Sequence, residues 1–556
     1  MQKEMVLHSL TSVLDQHLPR PRQWQLLPLP AVATTPLPLL FAILLLLISI
    51  FLVATTTTRR RRQNTTSSSS TYHLHLAPPA PPGLPILGNL HQMGALPHRS
   101  LRELARRHGP VMLLRLGTVP AVVVSSAAAA RDVLKTHDAD CCSRPDTPGP
   151  RRLSYDHNDV AFSPYSEQWR ERRRLLVVEF LSKRRIQATW YAREAEMEKL
   201  ISKLSSVGRR AVFLEDHIFG YMDGIVGTVA FGNIYGTEHF AYKEHFHHVI
   251  DEAMVVRSSF SAEDYFPNAV GRLLDRLTGV ASLRERVFRE FDAFFEMMLD
   301  QHLDPARVKP DNGGGGLIDV LVGLMKEHHG SLRFSRDVVK ALLTNTFIGA
   351  VDTGAVTIIW AMAEMVRKPE VLKKAQEEVR AMAGSKGRVQ QDDVAKLRYL
   401  RAVVMETLRL HPALPLLVPR ETMRRITVSG YDVPARTRVF VNAWAIGRDP
   451  ASWDDPEEFV PERFAGDEAA AAASFFNRAR FEFLPFGGGR RMCPGIDMGV
   501  VTTEFTLANL LYCFDWELPE GQRREDMCME EAGGLTVHKK TPLLLVPTRY
   551  TIVEAS

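Results

Sequence analysis

Phe486-Gly487-Gly488-Gly489-Arg490-Arg491-Met492-Cys493-Pro494-Gly495 decides how this chain is read. Three successive glycines let the backbone turn tightly and approach a flat ligand closely. The Pro494-Gly495 pair keeps the residues before it from running on as helix. Cys493 is therefore presented from a cramped loop. Arg490 and Arg491, just before it, are placed to favour its thiolate form. On the glycines alone, a plain loop or an anion-binding nest would serve as well, and most cysteines are small buried hydrophobes. The spacing FxxGxRxCxG, matched at Phe486, Gly489, Arg491, Cys493 and Gly495, is far more specific than either.

That spacing resembles the haem-binding loop of the cytochrome P-450 family. The resemblance implies a haem b whose iron takes Cys493 as its axial ligand, with Phe486 and Arg491 beside the cofactor. Thiolate ligation pushes electron density onto the iron and favours O–O cleavage. The implied fold is mainly α with a small β region, and the implied reaction uses O2 and electrons from NADPH passed on by a partner reductase.

Composition is compatible with a large globular enzyme. Of the 556 residues, 45 % are hydrophobic, and the net charge of +5 has a local source. Lys3, Arg20, Arg22 and Arg59 to Arg62, set against Glu4 and Asp15, account for the whole excess before residue 63. The remainder is neutral, which argues against a nucleic-acid partner, since that would call for a basic stripe on the folded domain. Five cysteines, odd in number and without a CxxC pair, indicate neither a disulfide framework nor a zinc site. They suit a reducing compartment.

Residues 37–58 contain the one membrane-length apolar stretch, which just meets the roughly 20 residues a span requires. Arg59 to Arg62 follow it and place the bulk of the chain in the cytosol by the positive-inside rule. A cleaved signal peptide competes, but no small-residue cleavage site follows the run. Residues 1–36 form an extension with no evident fold, read either as a luminal tail or as sequence upstream of the true start. Residues 59–77 are a basic and Ser/Thr-rich linker, and 78–556 the catalytic domain. By resemblance this is an endoplasmic-reticulum membrane protein with a single pass. The proline-rich run from Pro78 to Pro85 is stiff and extended, and it looks like the hinge of microsomal members.

Ser100 to His108 reads as helix, and Val111 to Leu116 with Ala121 to Ser125 as a hairpin turning at Gly117-Thr118. Ser143 to Tyr165 reads as a long loop, which in the family covers the substrate pocket. Trp169 and Arg173 stand four apart on one helical face. They match the WxxxR motif, which implies contact with the haem propionates, whereas Arg170, Arg172 and Arg174 read as a solvated face or a landing site for an acidic redox partner. Phe260 to Pro267 is placed by resemblance in a lid.

The longest helical pattern is Arg336 to Val366, with Ser335 as cap and Pro369 beyond its end. Its middle, Gly349-Ala350-Val351-Asp352-Thr353-Gly354, costs about 1 kcal/mol per glycine relative to alanine. A packing notch for a crossing helix would explain the glycines alone. Asp352 beside Thr353 adds an acid and an alcohol able to relay protons, and the stretch resembles the family's (A/G)GxDT pattern. Ala350 stands where glycine is usual, and Gly354 where many relatives carry Ser or Thr. The resemblance puts Phe347, Ala350 and Gly354 at the substrate pocket and Asp352 and Thr353 in catalysis.

Glu406 and Arg409 lie three apart on an apolar helix, and Pro461-Glu462-Arg463-Phe464 follows later. They match the ExxR and PERF motifs and imply a buried structural network of Glu406, Arg409 and Arg463. Between them, His411 to Arg420 resembles a strand along the haem edge. Leu416 and Val418 would then face substrate at alternate positions, and Arg420 a propionate. Val439 to Ala445 reads as another strand, and a helix runs from Cys493 to about Tyr512. Leu535 and Thr536 fall in the family's last pocket-lining turn.

The five motifs occur in the family's order between about Pro78 and Pro547. Stretches such as Cys141-Cys142-Ser143-Arg144-Pro145 and Phe440 to Trp453 resemble oxime-metabolising members of the plant microsomal family-71 type. That implies an aryl acetaldoxime dehydrated to a nitrile and then hydroxylated to a hydroxynitrile. The alternatives are hydroxylation of another phenolic, indolic or terpenoid metabolite, a reductase-independent haem-thiolate isomerase or dehydratase, and a non-catalytic haem binder. Asp352-Thr353 argues against the reductase-independent reading, which has no need of that pair.

Overall fold

The computed structural model describes residues 76–232, 261–307, 315–326, 334–466 and 480–551. The extension 1–36, the expected anchor 37–58, linker residues 59–75, Phe260 and the alanine-rich insert 468–473 lie outside the described residues. In chain order, helix α1 (Pro97–His108) leads into strands β1 (Val111–Leu116) and β2 (Val119–Val124). Helices α2 (Glu167–Glu179), α3 (Trp190–Val207), α4 (Leu214–Phe231), α5 (Val280–Leu303), α6 (Arg336–Arg367), α7 (Pro369–Ala383) and α8 (Arg398–Leu410) follow. Strands β3 (Arg420–Glu421) and β4 (Arg438–Val441), helix α9 (Ile496–Cys513) and strands β5 (Glu531–Ala532) and β6 (His538–Lys539) complete the frame.

The frame is built on α6. Ser335 caps it by accepting from the Val338 N–H at 3.3 Å, and Pro369 bars its continuation past Lys368. Its 32 residues run roughly 48 Å. Among the described residues it is the one helix long and apolar enough to cross a membrane, yet 78 % of its apolar window is buried within the protein. It is a core helix.

Packing on both ends of α6 is aromatic. Phe347 stacks on Phe231 of α4 at 5.2 Å and meets Phe295 of α5 at 6.5 Å, each buried ring contributing about 1.5–3 kcal/mol. Near the other end, Trp360 lies flat on His411 at 4.0 Å and donates its indole N–H to the Val537 carbonyl at 3.0 Å. His411 bonds Glu364 at 2.8 Å and is thereby a packed core residue.

The small sheet has the order β1-β2-β4-β3. Strands β1 and β2 form an antiparallel hairpin closed by the Leu116–Val119 pair, and β2 runs parallel to β4. Most of their side chains are buried on both faces, which is why neither shows clean alternation. The proline run lies against this sheet, with the Pro79 carbonyl accepting from Leu113 N–H at 2.9 Å. Strand β3 pairs Arg420 with Val439 and so fixes that arginine to the sheet.

Two strand expectations are corrected. Strand β4 stops at Val441, because the Asn442 side chain accepts from the Ala445 N–H at 3.0 Å and caps a short helix, Ala443–Ile446. Residues 415–418 form a turn instead of a strand. Leu417 has φ +53° and its N–H reaches back to the Leu414 carbonyl at 3.1 Å, while Pro415 and Pro419 offer no donor to a ladder. The segment 143–165 is a loop with one short helix, Pro148–Leu153. Residues 262–265, expected in a lid, form a helical turn whose Tyr265 carbonyl accepts from Thr118 N–H at 2.9 Å, so they dock on the hairpin turn.

Candidate active site

A cavity of about 340 Å³ opens between α6 and the Cys493 loop. Its floor explains the glycines. Gly487 and Gly489 sit at φ +69° and +66°, and a Cβ on Gly489 would come within 2.2 Å of Asp138 Oδ1 and 2.5 Å of the Leu134 carbonyl. No other residue fits there. The Cys493 N–H donates to the Phe486 carbonyl at 2.9 Å, and α9 begins three residues after Cys493. Burial pushes the Cys493 thiol up, opposed by the Gly495 N–H and the positive charge of Arg173. The expectation that Arg490 and Arg491 favour the thiolate is corrected: Arg490 pairs with Asp138 at 2.8 Å, and Arg491 spends its donors on the carbonyls of Cys142, Val160 and Ser163.

The roof is the glycine-containing turn of α6. Gly349, Ala350, Thr353 and Gly354 line the cavity. A Cβ on Gly349 would meet nothing within 4 Å, whereas one on Gly354 would lie 2.5 Å from the Met222 methyl carbon of α4. Gly349 therefore leaves the cleft open, while Gly354 is a packing notch against α4. Thr353 donates to the Gly349 carbonyl at 2.7 Å within the helix. Asp352 does not line the cavity. Its carboxylate is turned to the far side, where Oδ1 meets His538 Nε2 at 3.1 Å and Oδ2 is buried without a hydrogen-bond partner among the described residues.

Four guanidinium groups line the same cavity, from Arg144, Arg173, Arg420 and Arg491. Arg420 is bonded to Asp138 at 2.9 Å and to the Gly488 carbonyl. The other three bond only backbone carbonyls, and among the described residues none of them meets a carboxylate. Burial pulls Arg144 well below the ordinary arginine range, and it pulls Arg491 down to about 9 with Arg420 and Arg173 adding to the effect. Buried positive charge of this density calls for an anionic ligand.

Trp169 is not among the residues lining the cavity. Its indole N–H donates to the Val160 carbonyl at 2.9 Å, and its ring lies under the Arg491 guanidinium at 3.9 Å, so it orients an arginine. The pocket residues also divide. Val418, Ala350 and Gly354 line the cavity. Leu416 instead packs on the hairpin cluster, as the turn at Leu417 dictates. Phe347 is 0 % exposed in the aromatic core. Leu535 and Thr536 are outside the lining, and Thr536 sits 3.2 Å from His538 Nε2.

Away from the cavity, Glu406 takes two bonds of 2.7 Å from Arg409 and one of 3.3 Å from Arg463. The remaining Arg409 donors go to the carbonyls of Gly447, Pro456 and Glu458. The loop beneath the cavity is tied to α8 by this cluster.

Sequence reading passed over several residues. Asn345 of α6 accepts from the N–H groups of Val160 and Ala161 at 3.0 Å and donates to Asp159 at 3.0 Å, stapling the long loop over the cavity. Arg144, Asp138, Leu417 and Met222 join the site only through the fold.

These residues suit a haem. Cys493 offers one thiol to a metal, the guanidinium groups offer charge for two carboxylates, and Gly349 leaves room above. Among the described residues no group of three His, Cys, Asp or Glu forms a separate metal site.

The family model described as "Cytochrome P450" matches residues 78–546. The chain is 62 % identical over 476 residues to the 4-hydroxyphenylacetaldehyde oxime monooxygenase of Sorghum bicolor, covering 85 % of this chain and 88 % of that one. It is 45 % identical over 475 residues to the 2-methylbutanal oxime monooxygenase of Manihot esculenta, covering 85 % and 91 %. A zebra fish cytochrome P-450 solved with abiraterone shares the fold at TM-score 0.68 and 23 % identity, covering 83 % of this chain and all of that one. With its glycine-bounded thiol, its arginine-lined cavity and a family match across the whole folded domain, the chain belongs to the cytochrome P-450 family and is a haem-thiolate monooxygenase.

Proposed function

We propose that this chain converts an aryl acetaldoxime, of the 4-hydroxyphenylacetaldehyde oxime type, into the corresponding hydroxynitrile. The observation that carries this reading is the 62 % identity over 85 % of the chain with an oxime monooxygenase, supported by the 45 % identity with a second one. The cavity suits a small aromatic guest: its wall is largely aliphatic, including Ile225, Val226, Val229 and Leu417, with Thr353 as a polar group on the roof.

Two half-reactions follow. In the first, the aldoxime loses water: the N–O bond breaks as the hydroxyl gains a proton and leaves as water, the aldehydic hydrogen is given up as a proton, nitrogen stays on carbon as the nitrile, and no net oxidation occurs. The second inserts one oxygen atom of O2 into the C–H bond beside the nitrile, with two electrons from NADPH and two protons carrying the other oxygen away as water. A haem, when bound, supplies the activation of dioxygen. Cys493 would hold it through a thiolate, and Arg144, Arg173, Arg420 and Arg491, which line the cavity, would hold its carboxylates. Thr353 already donates into its own helix, so its free lone pair accepts from an oxime hydroxyl and orients it. Thr353 passes protons on the roof side, and Asp352, behind it in α6, is their source. Glu406, Arg409 and Arg463 fold the loop region and touch no reacting atom.

Residues 37–58 anchor the chain in the endoplasmic-reticulum membrane, with 59–77 as tether and the domain 78–556 in the cytosol, where a membrane-bound NADPH-cytochrome P-450 reductase supplies electrons. The apolar run followed by Arg59 to Arg62 supports this orientation. The test is product analysis by mass spectrometry with membrane-bound protein, reductase, NADPH and 4-hydroxyphenylacetaldehyde oxime. Formation of 4-hydroxymandelonitrile, or its aldehyde with cyanide, is expected. No turnover by protein with an intact thiolate haem would refute the oxime assignment and favour another small hydrophobic metabolite.

A further inference from the structure

We propose that His538 is the solvent-side station of the proton path that serves Asp352, and acts as a positioning residue for that carboxylate. The inference rests on the haem-monooxygenase reading but not on the oxime. Asp352 is 3 % exposed in the middle of α6, does not line the cavity, and pairs its Oδ1 with His538 Nε2 at 3.1 Å. An acid buried this deeply cannot exchange protons with solvent directly.

His538 closes that gap. It sits on the two-residue strand β6, anchored on one side by β5 and preceded by Val537, whose N–H donates to the Ala413 carbonyl at 3.1 Å and whose carbonyl holds Trp360. Its ring lies parallel to Phe219 of α4 at 5.9 Å, with an interplanar angle of 9°. The imidazole is therefore clamped, yet its side chain remains 16 % exposed against 4 % for Asp352. The Thr536 hydroxyl stands 3.2 Å from the same nitrogen. One group reaches from solvent to the buried acid.

The chemistry of the contact constrains where the proton lies. A carboxylate only accepts, so Nε2 carries the hydrogen while Asp352 is ionised; once Asp352 is protonated, its O–H can donate to a bare Nε2. The pair thus shares one proton in either form. Transfer breaks the Nε2–H bond and forms an O–H bond at Asp352 Oδ1. Nδ1 takes a proton from solvent as Nε2 releases its own, so the ring stays neutral throughout, and no electrons move. Asp352 Oδ2, buried and without a partner, is free to carry the exchange onward when the carboxyl rotates towards Gly349 and Thr353. Nothing in the motifs pointed to this histidine, because it lies 186 residues from Asp352 in the chain.

The test uses the purified holoenzyme with reductase and compares wild type, His538→Gln, Asp352→Asn and the double variant. His538→Gln keeps a hydrogen-bond donor of similar reach but cannot carry a proton. All four proteins should show the same ferrous-carbonyl spectrum, and the melting-temperature shifts of the two single variants should combine less than additively, as expected for residues in contact. NADPH oxidation with 4-hydroxyphenylacetaldehyde oxime should slow at least fivefold in His538→Gln, with a larger solvent isotope effect, and the double variant should be no slower than Asp352→Asn alone. If the oxime gives no product, peroxide formation from NADPH is read in its place, so failure of the substrate assignment stays distinct. An unchanged rate and isotope effect in His538→Gln would overturn the proposal. So would slowing that comes with lost haem, since that marks a structural role.

Discussion

Replacing Gly354 by alanine sets helix propensity against cavity shape. The added Cβ would lie 2.5 Å from the Met222 methyl carbon, closer than atoms can pack, and 3.4 Å from its sulfur. The obstacle is the far end of a flexible side chain, so Met222 changes rotamer at a cost of about 0.5–1.5 kcal/mol. Removing a mid-helix glycine returns about 1 kcal/mol, leaving stability near its starting value. Binding is another matter, because Met222 and Gly354 both line the cavity. The new methyl and the displaced thioether take up room an aryl ring would use, and one methylene of misfit is worth about 1–3 kcal/mol. Spectral titration of the holoenzyme should then show Kd for 4-hydroxyphenylacetaldehyde oxime rising about 10- to 100-fold, with a short aliphatic aldoxime changing far less. Adding Met222→Ala should restore aryl binding. Equal weakening of both ligands, or a large fall in melting temperature, would refute the reasoning.

Glu406→Gln should destabilise the protein by about 3–5 kcal/mol, because it strands the 0 %-exposed Arg409. Arg463→Leu should cost less, since Arg463 is 14 % exposed and holds Glu406 by a single 3.3 Å contact; equal losses in denaturant melts would contradict the geometry. Glu531 gives a pH prediction. Burial works against its charge, yet His98 and Arg99 bond it at 2.9 and 2.6 Å and hold it down from 4.5 to about 2. A depressed carboxylate adds stability above its unfolded value and loses it on acidification. Wild type should therefore lose on the order of 3 kcal/mol relative to Glu531→Gln as pH falls from about 4.5 towards 2, and parallel melting profiles of the two proteins would count against the network. Thr353→Ala removes a hydroxyl bonded only within its own helix, so melting should hold while product formed per NADPH falls several-fold; unchanged coupling would end its role as a proton donor.

The elements legible in the sequence were those whose signals are local. Ser335 and Pro369 bound α6 in the sequence as they do in the fold, and the glycines around Cys493 announce a loop because their backbone angles allow no other residue. Failures came where a side chain meets something distant. Trp169 and Arg173 share a helical face, but whether an indole N–H reaches a ligand or the Val160 carbonyl depends on a loop nine residues earlier. Leu416 was assigned to the pocket by strand alternation, and a single left-handed residue, Leu417, broke that register. Asp352 and Thr353 are neighbours in sequence, yet successive residues on a helix point about 100° apart, so only Thr353 faces the cavity. Asn345 and His538 are placed by tertiary packing and carry no mark in the chain itself, and the stretch that holds Arg144 does not tell that its guanidinium lines the cavity.

The account rests on Cys493 as the thiolate that binds haem in this cavity, and the ferrous-carbonyl difference spectrum of the holoenzyme tests it most directly. Wild type should give the thiolate-type band, and Cys493→Ala should lose it while variants at the other four cysteines, Cys141, Cys142, Cys513 and Cys528, keep it. A thiolate band that survives in Cys493→Ala would contradict the assignment.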